Sequence, residues 1–163
     1  MYAFRFANYI FHNGVIEITL AGQPMKQASE AARGFVGIAF RISDDNSQFE
    51  CFYLRPTNGR ALDQVRRNHT AQYVSFPHYP WHKLRKEFPE KYESYVDIGA
   101  GEWIKMRIEI CDAMAKLFIN DALEPTLIVS DLKHGEKLNG KIGLWIGPET
   151  EAYFRNLVIK RSN

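Results

Sequence analysis

The sequence predicts an all-β fold, a two-sheet antiparallel β-sandwich of the jelly-roll kind. Short strand-like runs alternate with turn signals along the whole chain, which is typical of such sandwiches. The one stretch with helical character near its middle, residues 82–92, is interrupted by Pro89 and can supply a turn or two at most. A chain of 163 residues without internal repeat or linker suits one domain, residues 1–163.

A hairpin near the centre of the chain is the clearest element. In residues 35–42 the large apolar side chains fall on alternate positions, Val36, Ile38 and Phe40. The polar run at 43–47 is a strong turn signal, and residues 49–55 return as the second strand. Alternation therefore predicts which side chains enter the core and which point away from it.

The remaining strands follow from the same kind of pattern. Residues 103–111 alternate most cleanly and predict a half-buried antiparallel strand with one wet face. Other strand-like runs are 14–20, 114–119, 127–129, 140–146 and 152–160. Residues 27–33 are either a short helix or a loop.

Composition excludes several classes of function. A net charge of +2 gives no electrostatic case for nucleic acid. No apolar stretch reaches the roughly 20 residues of a membrane span. The N-terminus lacks a signal-peptide pattern, so we expect a cytoplasmic protein or one whose leader was removed. The two cysteines, Cys51 and Cys111, are expected to be free thiols rather than a disulfide.

No cofactor or metal is predicted. His78 and His82 have the spacing of a helical metal pair, but Pro80 lies between them. The acidic turn at 44–46 could hold calcium, yet a plain turn is favoured.

Alternation within the hairpin predicts a binding surface. If Val36 enters the core, then Arg41, Tyr53 and Arg55 share the opposite face, above the small residues Gly37 and Ala39. Guanidinium forks bind vicinal hydroxyls or a carboxylate at two points. A surface pairing of Arg41 with Asp44 or Asp45 is the alternative. The pattern favours a polyol groove walled by arginine and tyrosine.

The connection after this hairpin, residues 55–81, is the most informative stretch. It shows little regular periodicity, and loops of this length in a compact domain are usually functional or disordered. Its aromatic content argues against disorder. We therefore expect a ligand-binding loop contributing Arg66, His69, Gln72, Tyr73 and Trp81. For His69 a structural hydrogen bond is favoured over catalysis, and for Trp81 loop packing and ligand stacking are equally supported.

Several motifs resemble those of concanavalin A-like lectin/glucanase domains. Within that superfamily they are similar to a bacterial branch described as sugar hydrolases, related to the 3-keto-disaccharide hydrolase domain. The matching segments span nearly the whole chain: 11–17 (FHNGVIE), 34–41 (GFVGIAFR), 52–56 (FYLRP), 69–73 (HTAQY) with Trp81, 101–103 (GEW), 118–120 (FIN), 140–145 (GKIGLW) and 153–157 (YFRNL).

The resemblance implies two sheets packed face to face, with a carbohydrate ligand on the concave sheet. It implies a glycoside hydrolase-like protein, a glycan hydrolase or lyase, with a non-catalytic lectin-like module as the alternative. In either case we expect the groove to bind a carbohydrate, a disaccharide or an acidic sugar. A protein-interaction sandwich is a third possibility. The Glu-x-Asp-x-x-Glu strand of laminarinase-type members is absent, so their two-carboxylate mechanism does not transfer. Glu50, Asp63 and Glu93 are the candidate carboxylates, and their spacing selects no acid–base pair. Strand parity places Glu50 on the face opposite Tyr53 and Arg55, which favours a buried partner or an edge residue.

Overall fold

The computed structural model describes residues 2–5, 9–136 and 139–162, with side chains from residue 9 onward. It confirms the predicted all-β sandwich. One sheet has six strands, in the order β1 (Tyr2–Arg5), β10 (Lys141–Ile146), β3 (Val36–Ile42), β4 (Phe49–Leu54), β5 (Ala71–Phe76) and β6 (Glu93–Ser94). The other has five, in the order β11 (Thr150–Arg161), β2 (Gly14–Pro24), β7 (Ile104–Cys111), β8 (Met114–Ile119) and β9 (Leu127–Val129). All strand pairs are antiparallel.

The core lies between the two sheets. Ile16, Ile18 and Leu20 of β2 belong to one continuous apolar cluster with Ile38 and Phe52 of the six-stranded sheet. In β7 buried and exposed positions alternate along the strand, so this strand has the predicted wet outer face.

The centre of the six-stranded sheet is buried on both faces. Every residue of β3 and β4 is buried, including those that alternate away from the core. Two short helices, α1 (Gln64–Asn68) and α2 (Trp81–Glu87), and a 3-10 turn at Pro56–Asn58 lie on the segments between β4 and β6. These segments therefore cover the outer face of the sheet at β3 and β4, so that this face is not exposed to solvent.

The expectation of an irregular loop over residues 55–81 was wrong. This stretch contains the 3-10 turn, α1 and all of β5, which pairs with β4 in the register Tyr53↔Gln72. The sequence does not reveal this strand, because its polar residues Gln72 and Ser75 lie on opposite faces of the sheet. They therefore do not produce the polar–apolar alternation of a strand with one solvent-exposed face. Helix α2 has about the predicted length, with its C-cap at Phe88 directly before Pro89.

Residues 27–33 form turns and no helix. Both cysteines are free, as predicted; Cys51 is buried and Cys111 exposed. None of the helices in the described ranges has the length and apolar character that a membrane crossing requires.

Candidate functional site

Arg41 does not share a face with Arg55, which corrects the central prediction about the hairpin. Its side chain has no exposed surface. The guanidinium donates to the backbone oxygens of His12 at 3.1 Å, Gly135 at 2.9 Å and Asp112 at 2.7 Å. Asp112 belongs to the turn between β7 and β8 of the other sheet. Arg41 therefore ties the two sheets together, and its donors face protein carbonyls.

A β-bulge explains why alternation failed at this position. The register between β10 and β3 shifts between Lys141 and Gly143, opposite Arg41. Arg41 itself adopts a φ of 52°, in the left-handed region that non-glycine residues rarely use. An extra residue on one strand reverses the direction of the side chains that follow it. Burial is the main reason that the pKa of Arg41 is lowered, and nearby Glu50 and Asp112 oppose this effect.

Tyr73 also lies on the inner side of its sheet. The register Phe52↔Tyr73 places it beside a core phenylalanine, and it has no exposed surface. Its hydroxyl donates to Glu50 Oε2 at 2.5 Å and accepts from the backbone N–H of Lys133 at 2.8 Å. Burial and the neighbouring carboxylate of Glu50 raise the pKa of Tyr73. Glu50 is a buried structural partner, as strand parity predicted, so neither residue can touch a ligand on the outer face.

On that outer face Tyr53 and Arg55 do come together. The Arg55 Nη2 group donates to the Tyr53 hydroxyl at 2.8 Å and to Gln72 Oε1 at 3.0 Å, and Nη1 donates to the backbone oxygen of His69 at 2.9 Å. Burial lowers the pKa of Arg55, against the opposing influence of Tyr53 and Glu93. Gln72 has no exposed surface and donates to the oxygen of Tyr73 at 2.8 Å. Gln72 therefore positions Arg55 without itself reaching the solvent.

The carboxylate of Glu93 is surrounded by the basic side chains of this region. Arg85 donates to both of its oxygens, at 3.0 and 2.5 Å, and Arg55 Nη1 lies 3.5 Å from Oε1. The His69 Nε2 atom lies 3.7 Å from Oε2. Burial lowers the pKa of His69, and the positive charges of Arg85 and Arg55 act in the same direction against the attraction of Glu93. Near neutral pH His69 is thus an uncharged donor or acceptor beside this cluster.

A cavity of about 500 Å³ opens beside these groups, within the usual size range of ligand pockets. Its walls include Arg55, His69 and Trp81. Arg66 also lines it, with Nε donating to Asn58 Oδ1 at 2.8 Å. Trp81 is 42% exposed, and the guanidinium groups of Arg85 and Arg55 lie 4.6 Å and 5.8 Å from its ring centroid. The exposed part of Trp81 is therefore accessible to a ligand in the cavity, while the two arginines hold the ring in place.

A second cavity of about 480 Å³ adjoins the first and is aromatic. Phe35, Tyr53 and Trp145 line it, and the rings of Tyr53 and Trp145 stack with centroids 4.4 Å apart. The two cavities share Ala31, Phe35 and Trp81. We call them together the outer-face groove: a polar half around Arg55 and His69, and an aromatic half around Trp145.

Six of the eight residues proposed from the sequence are at or directly beneath this groove, and Arg41 and Tyr73 are not. Sequence reasoning missed Arg33, Phe35, Arg85 and Trp145, and weighed Glu93 only as a catalytic acid. Two signals could have found part of this set. Trp145 pairs with Gly37, so its large ring lies on the face that Gly37 leaves open. Trp81 and Arg85 are four residues apart, the spacing of neighbours on one helix face.

Among the described residues, no group of three or more His, Cys, Asp or Glu side chains is placed to hold a metal ion.

Structural comparison places this chain among β-sandwich folds. Carbohydrate-binding module CBM66 from Bacillus subtilis superimposes with a TM-score of 0.63 at 13% identity, covering 92% of this chain and 76% of that one. Galectin LEC-6 from Caenorhabditis elegans gives 0.56 at 10% identity, covering 97% and 91%. A "putative glycosyl hydrolase" from Parabacteroides distasonis gives 0.55 at 12% identity, covering 96% and 75%.

By sequence, no protein-family model and no curated protein matches the chain. At these low identities the structural matches define the fold class, a two-sheet β-sandwich, and leave the function to be argued from the groove.

Proposed function

We propose that this protein is a carbohydrate-binding β-sandwich whose ligand lies in the outer-face groove. The observation that carries the proposal is the side-by-side placement of the exposed Trp81 ring and the planar polar groups of Arg66 and His69 around one cavity. Aromatic faces cover the C–H faces of sugar rings, and planar polar groups take up the hydroxyls. The names of the structural neighbours, a carbohydrate-binding module and a galectin, support the same class of ligand.

The groove favours binding over hydrolysis. Two-carboxylate hydrolysis needs an acid and a second carboxylate facing each other across the sugar. Glu93 has both oxygens engaged by Arg85. Asp63 lines the cavity but accepts the backbone N–H of Arg66 at 3.1 Å, as the N-cap of α1. These two carboxylates hold the protein together, so we propose a non-catalytic, lectin-like role and treat glycoside hydrolysis as the alternative.

A glycan array followed by solution titration tests the proposal. We expect binding of at least one oligosaccharide without release of smaller sugars, whereas turnover would establish the hydrolase alternative. Absence of binding to any glycan would overturn the proposed function and leave a protein-interaction role.

A matched pair of tryptophan variants locates the ligand. Trp81→Ala should weaken affinity about tenfold, since covering roughly 60 Å² of ring at about 25 cal/mol per Å² amounts to about 1.5 kcal/mol. Trp103→Ala is the control: Trp103 is 46% exposed and carries Arg155 at 4.0 Å from its ring, but it lines neither cavity of the groove. Equal losses in both variants would show that the ligand lies elsewhere.

A further inference from the structure

The polar half of the groove carries more positive than negative groups. Four arginines line it, Arg33, Arg55, Arg66 and Arg85, against one carboxylate, Asp63. Glu93, just behind, is bonded to Arg85 and Arg55. Within the described ranges, neither Arg33 nor Arg66 forms an ion pair with any carboxylate. Two guanidinium groups at this end of the cavity are therefore not paired with a carboxylate of the described residues.

Both of these side chains are held in place by neutral acceptors. Arg33 Nη1 donates to the backbone oxygens of Glu30 and Ala32. Arg66 donates from Nε to Asn58 Oδ1 at 2.8 Å and from Nη2 to Thr57 Oγ1 at 3.0 Å. In the described part of the chain this leaves Nε and Nη2 of Arg33, and Nη1 of Arg66, without an acceptor. These hydrogen bonds fix the orientation of each guanidinium group, and its remaining N–H donors are available to a ligand.

The two residues are also close enough to repel each other. The pKa of Arg33 is lowered first by burial and then by the positive charges of Arg66 and Arg55. The 3-10 turn joins them structurally, because the backbone N–H of Thr57 donates to the oxygen of Arg33 at 3.3 Å and its hydroxyl accepts from Arg66. Like charges kept together beside a cavity are stabilised by any anion that enters it.

We infer that the Arg33–Arg66 end of the outer-face groove binds the anionic substituent of an acidic sugar, a carboxylate or a sulfate. This inference rests on the proposed function and names the ligand class for it. Planar guanidinium groups match the two-oxygen edge of either substituent through paired charged hydrogen bonds. The sugar ring bearing the anion then lies toward Trp81, which lines both halves of the groove. The aromatic half receives the neutral remainder of the chain.

The test compares three oligosaccharides: one ending in a uronic acid, its counterpart with the carboxyl reduced to an alcohol, and the same neutral chain carrying one sulfate. For the unmodified protein we expect the better anionic sugar to bind about tenfold more tightly than the neutral one. This preference should shrink as salt is raised, because added ions screen the charges. The relative affinity of the uronic acid and the sulfate identifies which anion is preferred.

Arg33→Gln and Arg66→Gln should each reduce the ratio of anionic to neutral affinity to less than about threefold, whatever their effect on the neutral sugar itself. Arg155→Gln carries the same charge change on a residue that lines neither cavity, and it should keep the full preference. Two separate variants are used so that one misfolded protein leaves the test intact, with circular dichroism as the check on folding.

The outcomes separate the two proposals. Equal affinity of the unmodified protein for all three sugars, or a preference retained in both variants, overturns the anion site and leaves carbohydrate binding standing. Failure of these three sugars and of every glycan on the array to bind overturns the proposed function and the anion site with it.

Discussion

The outer faces of the two sheets differ sharply. On the five-stranded sheet, β7 presents alternating charged residues to solvent, and they pair with neighbours at the surface, as Lys105 does with Asp121 at 2.6 Å. On the six-stranded sheet, β3 and β4 are buried on both sides, and their outer face carries Tyr53 and the buried Arg55.

The difference shows what distinguishes a surface from a site. Exposed ion pairs stabilise a fold by about 0–1 kcal/mol because water screens them. Charged groups withdrawn from water cost much more and persist where other interactions hold them. A face that keeps arginines under cover, next to an open cavity, is equipped to bind. The outer face of β7 also borders a cavity, of about 360 Å³, but its Lys105 and Arg107 are paired with Asp121 and Glu109.

The largest expected effect is on stability and concerns Arg41, which ties the two sheets together. Arg41→Leu should lower the free energy of unfolding by ~3 kcal/mol or more, because each lost hydrogen bond from a charged donor contributes about 1.5–3 kcal/mol. Lys105→Ala, on the wet face, should cost about 0–1 kcal/mol. Urea denaturation measures both. Similar losses in the two variants would mean that the contacts of Arg41 with the β7–β8 turn contribute little.

A smaller loss of stability is expected from Tyr73→Phe. Removing the hydroxyl leaves the carboxylate of Glu50 and the N–H of Lys133 each short of a partner, at a cost of about 1–3 kcal/mol. Tyr153→Phe is the control, since that hydroxyl is exposed and bonded to Glu151 at the surface. Affinity for the glycan should be unchanged in both variants. Weakened binding in Tyr73→Phe alone would restore Tyr73 to the site.

The smallest effect concerns the protonation of His69. Its pKa lies below the ordinary value of 6.5, so near pH 6 the unfolded chain binds more protons than the folded one. The contribution of His69 to stability is therefore complete above about pH 6.5 and declines as the pH falls from there toward the folded-state pKa. Titration of the His69 ring proton by NMR measures the shift.

Two substitutions should move this titration in opposite directions. Arg85→Gln removes a repelling charge and should raise the pKa of His69, whereas Glu93→Gln removes the attracting carboxylate and should lower it. Shifts of the same sign in both variants would contradict the arrangement of these three side chains.

Alternation along the chain predicted most of the strands and their faces, but not β1, β5 or β6. It placed Tyr53 and Arg55 outward and Glu50 inward, because side chains in a regular strand alternate with a period of two. It failed at Arg41, where the bulge adds a residue that no local pattern announces.

The candidate site was less predictable because its members meet through long-range pairing. Gln72 and Tyr73 were assigned together to one ligand-binding loop, but β5 sends them to opposite sides of the sheet. Trp145 and Arg33 are far apart in sequence and reach the groove from different sides, through β10 and the segment before β3. Their shared location depends on the strand order of the whole sheet, which residue types alone do not specify.

The carboxylate of Glu93 links the segments that form the walls of the groove. Glu93 sits on a strand of two residues at the edge of its sheet, a position that would ordinarily fray. Its contacts reach α2 through Arg85, the end of β4 through Arg55 and the end of α1 through His69. If any of these segments moved away from Glu93, a buried charged group would lose its partner. We therefore expect the walls of the groove to open and close as one cooperative unit.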